Sequence, residues 1–297
     1  MILSRTPRFA AAGLSLLLAS ALAGCAGPTS SSPSRASVPA ASGPAVSAPE
    51  PAASGVVALP PAGGRVDYQL GGAYDPPPGV TIVTRDRTAS PAKGVYNICY
   101  VNAYQAQPGE GATWRGANAD LLLRDASGRE VIDEDWGEPL LDTSTATKRV
   151  RLGAIVGAWI DGCARVGFDA VEPDNLDSWT RSHGLLTAKA NLAFAQLLAE
   201  RARAVGLAIA QKNAGEISAA AHRAGMDFAV AEECEHYREC GLYTDVYGDH
   251  VIEIEYADQP KSDFSRACAA RGDRISVERR DRDVVPAGHD GYLAQWC

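Results

Sequence analysis

The residues best suited to chemistry in this chain are carboxylates that follow short apolar runs. The stretch FDAVEPDNLD at 168–177 places four acids within nine residues. MDFAVAEEC at 226–234 and VIEIEY at 251–256 repeat the arrangement, while IAQKN at 209–213 ends in Lys212 and Asn213 and NICYVN at 97–102 ends in Asn102. Acids are costly to desolvate unless they are paired or used, so several at successive segment ends need a reason. Period-2 alternation puts Glu172 and Asp174 on one face of their segment, and Val230 with Glu232 on one face of theirs. Two carboxylates across a cleft are what glycosidic cleavage requires. One, held protonated, delivers a proton to the leaving oxygen; the other attacks the anomeric carbon or activates water. Asp174 and Glu232 are the candidates. Singly, each acid here has an ordinary structural use: Asp169 and Asp227 can pair with helix residues, Asp177 can cap a segment, and Glu233 can be a solvated rim charge. Their convergence is the stronger signal.

Convergence needs elements that end in one place. β-rich runs fall at 66–70, 80–84, 95–101, 168–171, 207–211, 228–231, 251–256 and 275–277, with helix-like stretches at 146–163, 187–205, 218–224 and 264–271. Thr187 is placed to cap the second helix and Gly206 to end it. Leu192, Ala195, Leu198, Ala199 and Ala202 line one side of that helix at i, i+3, i+4 spacing. About eight strands alternating with helices over about 230 residues predict an α/β fold, a (β/α)8 TIM-type barrel spanning 65–297. A doubly wound open sheet is the alternative, but no G-x-G-x-x-G follows the first strand. In a parallel barrel the C-terminal strand ends share one mouth, where active sites sit.

The motifs resemble glycoside hydrolase family 114, the endo-α-1,4-polygalactosaminidase group. They are YQL at 68–70, ICYVNA at 98–103, VEPDN at 171–175, QKN at 211–213, AEEC at 231–234 and IEY at 254–256. The resemblance covers about residues 65–280. It implies a TIM-type barrel that hydrolyses an α-1,4-linked galactosamine polymer without a metal or other cofactor. Asp174 and Glu232 match the two catalytic carboxylates. The resemblance also implies sugar subsites lined by Tyr68, Gln69, Asn102, Glu172, Asn175, Lys212, Asn213, Glu233, Glu255 and Tyr256. Trp136 is suited equally to stacking on a sugar face and to a core position. Where many members carry an aromatic before the tyrosine of the Tyr-Gln-Leu motif, this chain has Asp67, and Leu140 to Ser144 depart from the family's usual stretch after Gly-Glu. Outer subsites are therefore expected to differ. Glu232 is assigned as acid/base and Asp174 as nucleophile, because a Glu shielded in an apolar strand setting is the more easily held protonated. The rival readings are a sugar-binding lipoprotein on a decayed barrel and a metal-dependent hydrolase using Asp174, Glu232 and Glu255.

The N-terminus points to export. Arg5 and Arg8 precede an apolar run of small residues at 10–23, too short for a comfortable membrane span, and LAGC at 22–25 matches a bacterial lipobox. Residues 1–24 are thus expected as a signal peptide, with Cys25 lipidated and the protein held at the outer face of the membrane. Residues 26–64 are almost wholly Ala, Ser, Pro and Gly and are expected as a disordered tether; GVVAL at 55–59 is the one stretch suited to packing. The net charge of −8 becomes −10 once Arg5 and Arg8 are removed. That argues against nucleic acid and anionic lipid as partners and favours a cationic or neutral ligand. A monomer is expected. With Cys25 on lipid, six cysteines remain in an oxidising compartment. Spacing favours Cys234–Cys240 and Cys268–Cys297, leaving Cys99–Cys163, among the 15 pairings six cysteines allow.

Overall fold

A computed structural model describes residues 57–297. The expected signal peptide, the expected lipidation site Cys25 and the expected tether up to residue 56 lie outside the described residues. In chain order the strands β1 (Arg65–Gln69), β2 (Val80–Asp86) and β3 (Tyr96–Asn102) come first. An excursion then carries the short helix α1 (Gly111–Trp114) and the small ladder β4 (Ile132–Asp133) and β5 (Glu138–Pro139). Alternation follows: α2 (Ala146–Val166), β6 (Ala170–Asp174), α3 (Ala188–Ala204), β7 (Ala208–Lys212), α4 (Ser218–Arg223) and β8 (Phe228–Glu232). It ends with α5 (Gly241–Tyr247), β9 (Val251–Tyr256), α6 (Lys261–Arg271), β10 (Ser276–Arg280) and β11 (Ala294–Trp296).

The large sheet runs β1-β2-β3-β6-β7-β8-β9-β10-β11. Every neighbour is parallel except β11, which lies antiparallel on β10. Side chains seal β1 to the far end of the sheet. Glu278 accepts the Tyr68 N–H (3.1 Å), Arg280 Nε donates to the Tyr68 carbonyl (3.0 Å), and the Trp296 indole on β11 donates to the Val66 carbonyl. The barrel departs from regular βα repetition at its start, since residues 70–79 and 87–95 contain no helix.

Strand alternation sorts the core into two layers. Val66, Ile82, Ile98, Ala170, Ala208, Phe228 and Ile252 fill the barrel interior, while Val101, Val171, Ile209 and Ala229 meet Leu152, Ile160, Phe194 and Leu198 of the helices outside. Thr187 caps α3 by accepting the Ala190 N–H (3.1 Å). Thr145 caps α2 likewise through Lys148 N–H (3.2 Å), and Gly167 and Gly206 follow the two helices with φ of 98° and 81°, which only glycine adopts without strain. The disulfides are Cys99–Cys163, Cys234–Cys240 and Cys268–Cys297, the pairing that spacing favoured. The first ties α2 to the outer face of β3, and the last pins the C-terminus to α6.

The tether boundary expected at residue 64 falls inside packed chain. Val57 and Leu59 rest against the barrel core, Tyr96 Oη donates to the Ala58 carbonyl (2.7 Å), and the His250 ring meets the Pro60 carbonyl (3.2 Å).

Candidate active site

The interior rows of adjacent strands end at the same level. β6 points Ala170, Glu172 and Asp174 inward; β7 points Ala208, Ala210 and Lys212; β8 points Phe228, Val230 and Glu232; β9 points Ile252, Ile254 and Tyr256. Lys212, 2% exposed, stands between the carboxylates, its Nζ 3.3 Å from Asp174 Oδ1 and 3.4 Å from Glu232 Oε2. Tyr100 of β3 donates to Asp174 Oδ2 (2.7 Å), and Tyr256 donates to Glu232 Oε1. The Asn213 side chain clamps Glu232 twice, accepting its backbone N–H (2.8 Å) and donating to Oε2 (3.0 Å).

The backbone turns sharply after each of these side chains. Asn175, Asn213 and Glu233, which directly follow Asp174, Lys212 and Glu232, have φ of 68°, 49° and 58°. Left-handed conformation costs a non-glycine residue roughly 1–2 kcal/mol, and such strain concentrates at functional sites. Here it ends three strands abruptly, so their last side chains stay at the mouth while the chain leaves it.

Electrostatics separate the acids. Burial alone would raise Asp174, but the Lys212 ammonium, the Tyr100 hydroxyl and the Asn175 N–H outweigh it and hold its carboxyl below the ordinary range. Burial would lower Lys212, yet Asp174, Glu232, Tyr68 and Glu172 together keep it firmly protonated. Glu172 goes the other way: burial raises it despite Lys212 and Tyr68.

Asp174, Asn175, Lys212, Asn213, Glu232, Tyr256 and Trp136 all line one cavity of about 490 Å³. Trp136 is 66% exposed at its rim, so it does not take the core position. Other predicted subsite residues lie elsewhere. Tyr68 and Glu172 are fully buried beneath the floor, joined by a 2.6 Å hydrogen bond. Asn102 is buried behind the wall, donating to Glu138 (2.7 Å) and accepting from Asn175 (3.0 Å), so it positions cavity residues. Glu233 is buried against Arg282 and borders a neighbouring cleft.

Two expectations are corrected by strand parity. Gln69 alternates with inward-facing Tyr68 and turns out to Asp67, Tyr74 and Arg85. Glu255 alternates with inward-facing Ile254 and Tyr256, and accepts the Glu235 N–H (2.9 Å) on the outer face. The metal triad Asp174, Glu232 and Glu255 is therefore not assembled. Glu255 has another consequence: burial, reinforced by the Glu253 carboxylate, pushes it up to about 8. The folded state thus holds this proton more tightly than the unfolded state. The stability it contributes is full below the usual Glu value and is lost as pH rises toward 8. Glu255→Gln, a mimic of the protonated form, is expected to flatten the fall in Tm between about pH 5 and 9. Parallel Tm–pH curves for the two proteins would contradict this.

Sequence reasoning missed Tyr100, Asp86, Glu138, Arg181 and Arg282, all on the cavity wall. Tyr100 was legible, being two residues before Asn102 on the same strand face. Glu138 and Arg181 depend on the β4–β5 excursion, which is anchored by Gln105 to Asp133 (2.8 Å) and Arg181 to Asp133 (2.6 Å) and has no periodicity to read. Eight carboxylates and three cations line the cavity. Arg181 is already paired with Asp133 and Asp177, and Arg282 with Glu233 and Asp258.

A parallel barrel with two opposed carboxylates at its C-terminal mouth has the architecture of a barrel glycoside hydrolase. Comparison with known proteins agrees and is more specific. Residues 46–297 match glycoside-hydrolase family GH114, and the chain belongs to that family. Among solved structures it is similar to Aspergillus fumigatus Ega3 in complex with galactosamine, with a TM-score of 0.64 and 24% identity, over 82% of this chain and 99% of that one. It is also similar to the glycoside hydrolase domain of Pseudomonas aeruginosa PelA, with a TM-score of 0.52 and 14% identity, over 78% and 98%. At these identities the likeness is one of fold. No curated protein matches the chain in sequence.

Proposed function

We propose that this glycoside hydrolase cleaves α-1,4 bonds inside galactosamine-containing polysaccharide, with Asp174 as nucleophile and Glu232 as acid/base. The observation that carries the reading is the shared ammonium: Asp174 and Glu232 both lie against Lys212, at 3.3 and 3.4 Å. The two oxygens concerned are therefore less than about 7 Å apart, which admits the retaining separation and only the short end of the inverting one. Asp174, held ionised, attacks the anomeric carbon while Glu232 gives its proton to the departing glycosidic oxygen. Glu232 then takes a proton from water as that water displaces Asp174, and the product keeps the α configuration.

The substrate class rests on charge and likeness. Galactosamine units without acetyl groups are cationic, and the cavity's carboxylates outnumber its already paired cations. Ega3 is known in complex with galactosamine. Internal cleavage fits a cleft that continues past Glu232, where a second hollow of about 320 Å³ is bordered by Asn213, Glu232 and Tyr237. Residues 1–25 support attachment to the outer face of the membrane through lipid on Cys25, so that the enzyme works on glycan close to its own envelope.

The test is incubation of the soluble domain with acetylated and deacetylated polymer at two ionic strengths. Mass spectrometry of the released sugars is expected to show an oligosaccharide ladder from deacetylated polymer, at a rate that falls with salt. Release of monomer alone would overturn internal cleavage. Equal rates on both polymers without salt dependence would remove the electrostatic part, and no release from either would sink the assignment.

A further inference from the structure

Glu172 is a buried acid that no step of this chemistry touches. It lies two residues before Asp174 on the inward face of β6, fully buried one layer below the mouth. Its Oε1 accepts from the Tyr68 hydroxyl at 2.6 Å and stands 3.1 Å from Lys212 Nζ, while its Oε2 has no partner among the described residues. An ammonium has three hydrogens to give. Four acceptors surround this one: Tyr68 Oη at 2.9 Å, Glu172 at 3.1 Å, Asp174 at 3.3 Å and Glu232 at 3.4 Å. The two deep contacts are shorter than the two at the rim. Lys212 is thus held from below, and the reacting carboxylates share what remains.

We propose that Glu172 is a positioning residue. With Tyr68 it seats Lys212 from beneath, so that the ammonium stands between Asp174 and Glu232, and its own charge competes with theirs for Lys212. This rests on the hydrolase reading given above. The ionisable groups around Glu172 are Tyr68 from β1, Tyr100 from β3, Asp174 from β6 and Lys212 from β7, with Glu232 of β8 and Tyr256 of β9 beyond Lys212. Glu278 and Arg280 of β10 are directed to the backbone of Tyr68. Among the described side chains that face Glu172, Lys212 is the one cation.

Glu172→Gln keeps a carbonyl oxygen for Tyr68 and Lys212 but removes the charge. With one fewer negative charge near Asp174, its ionised form is easier to reach. The pH–rate profile is expected to move toward acid by about one unit, with kcat altered and KM within about twofold, because Glu172 touches no substrate. Glu172→Asp restores the charge but draws it back by a methylene. It is expected to lower kcat about tenfold while leaving the profile in place. Titration of the Asp174 carboxyl, followed by NMR in labelled protein without substrate, is expected to show the same acidward move in Glu172→Gln. An Asp174 titration identical to that of the parent protein, with only Tm reduced, would mean that Glu172 merely packs the barrel and would overturn the proposal. This second readout needs no turnover. If the parent protein released nothing from galactosamine polymers, the hydrolase reading would fail while the titration still decided the seating of Lys212.

Discussion

Asp174→Asn and Glu232→Gln are each expected to lower kcat by at least about 10³-fold on deacetylated galactosamine polymer with the fold intact. Both changes are isosteric, and the neighbouring donors Tyr100, Lys212, Asn213 and Tyr256 stay in place. The two variants should differ in what repairs them. A substrate with an activated leaving group needs little protonation, so Glu232→Gln should still form its glycosyl-enzyme, and a small anion such as azide should then turn it over. Asp174→Asn lacks the nucleophile, so a better leaving group does not restore the retaining route. Circular dichroism and Tm establish that both variants are folded. If each retained activity within about tenfold of the parent on a good substrate, the two-carboxylate assignment would be wrong. The double variant should be scarcely worse than either single one, because the two groups act in one sequence of steps.

The sequence revealed most of this site for a simple reason. Parallel strands end at one mouth, and period-2 alternation states which side chains face it. That reasoning puts Asp174 with Glu172, and Glu232 with Val230, on one face of strands that end at the mouth, and the apolar runs mark all eight parallel strands. Applied strictly, it would also have turned Gln69 and Glu255 outward, since both alternate with inward-facing tyrosines, Tyr68 and Tyr256. Motif resemblance carried them into the subsites instead. Depth was harder to read. Tyr68 and Glu172 share the inward face with rim residues, but strand parity alone does not tell a floor from a layer beneath it. The wall built by residues 103–143 was illegible for a different reason. Its two-residue strands have too few positions to show a period, and its shape is set by long-range contacts such as Arg181 with Asp133. The α5 segment and β11 went unseen as well, one too short and one too near the chain end to carry a pattern.

Lys212→Met should damage stability and activity together. The thioether chain fills much of the lysine's volume but supplies no charge, leaving Glu172, Asp174 and Glu232 facing one another around an apolar group. Breaking a buried charged group's pairing in this way typically costs about 3–5 kcal/mol, and the carboxyls respond by taking up protons. Asp174 is affected in a predictable direction, because Lys212 is the largest influence opposing its burial. Without it the carboxyl rises, a larger share of the nucleophile is protonated at a given pH, and kcat falls by roughly 10²–10⁴-fold. Whatever activity remains should increase with pH, since alkali restores the ionised form. In the parent protein the depressed Asp174 makes a contribution to stability that is present above the usual Asp value and lost as pH falls through the folded one. That acid-side dependence should vanish in Lys212→Met, which is measurable as a Tm that no longer drops on acidification to the same extent. Lys212→Arg tests whether charge alone suffices. A guanidinium is planar, larger and forked, and the 2.9 Å contact to Tyr68 beneath leaves it no room to stand upright between the carboxylates. It should therefore preserve much of the acid-side stability while recovering little of kcat. Full activity in Lys212→Arg would show instead that any cation at this depth serves, and that the position of the ammonium is not what sets the reacting pair.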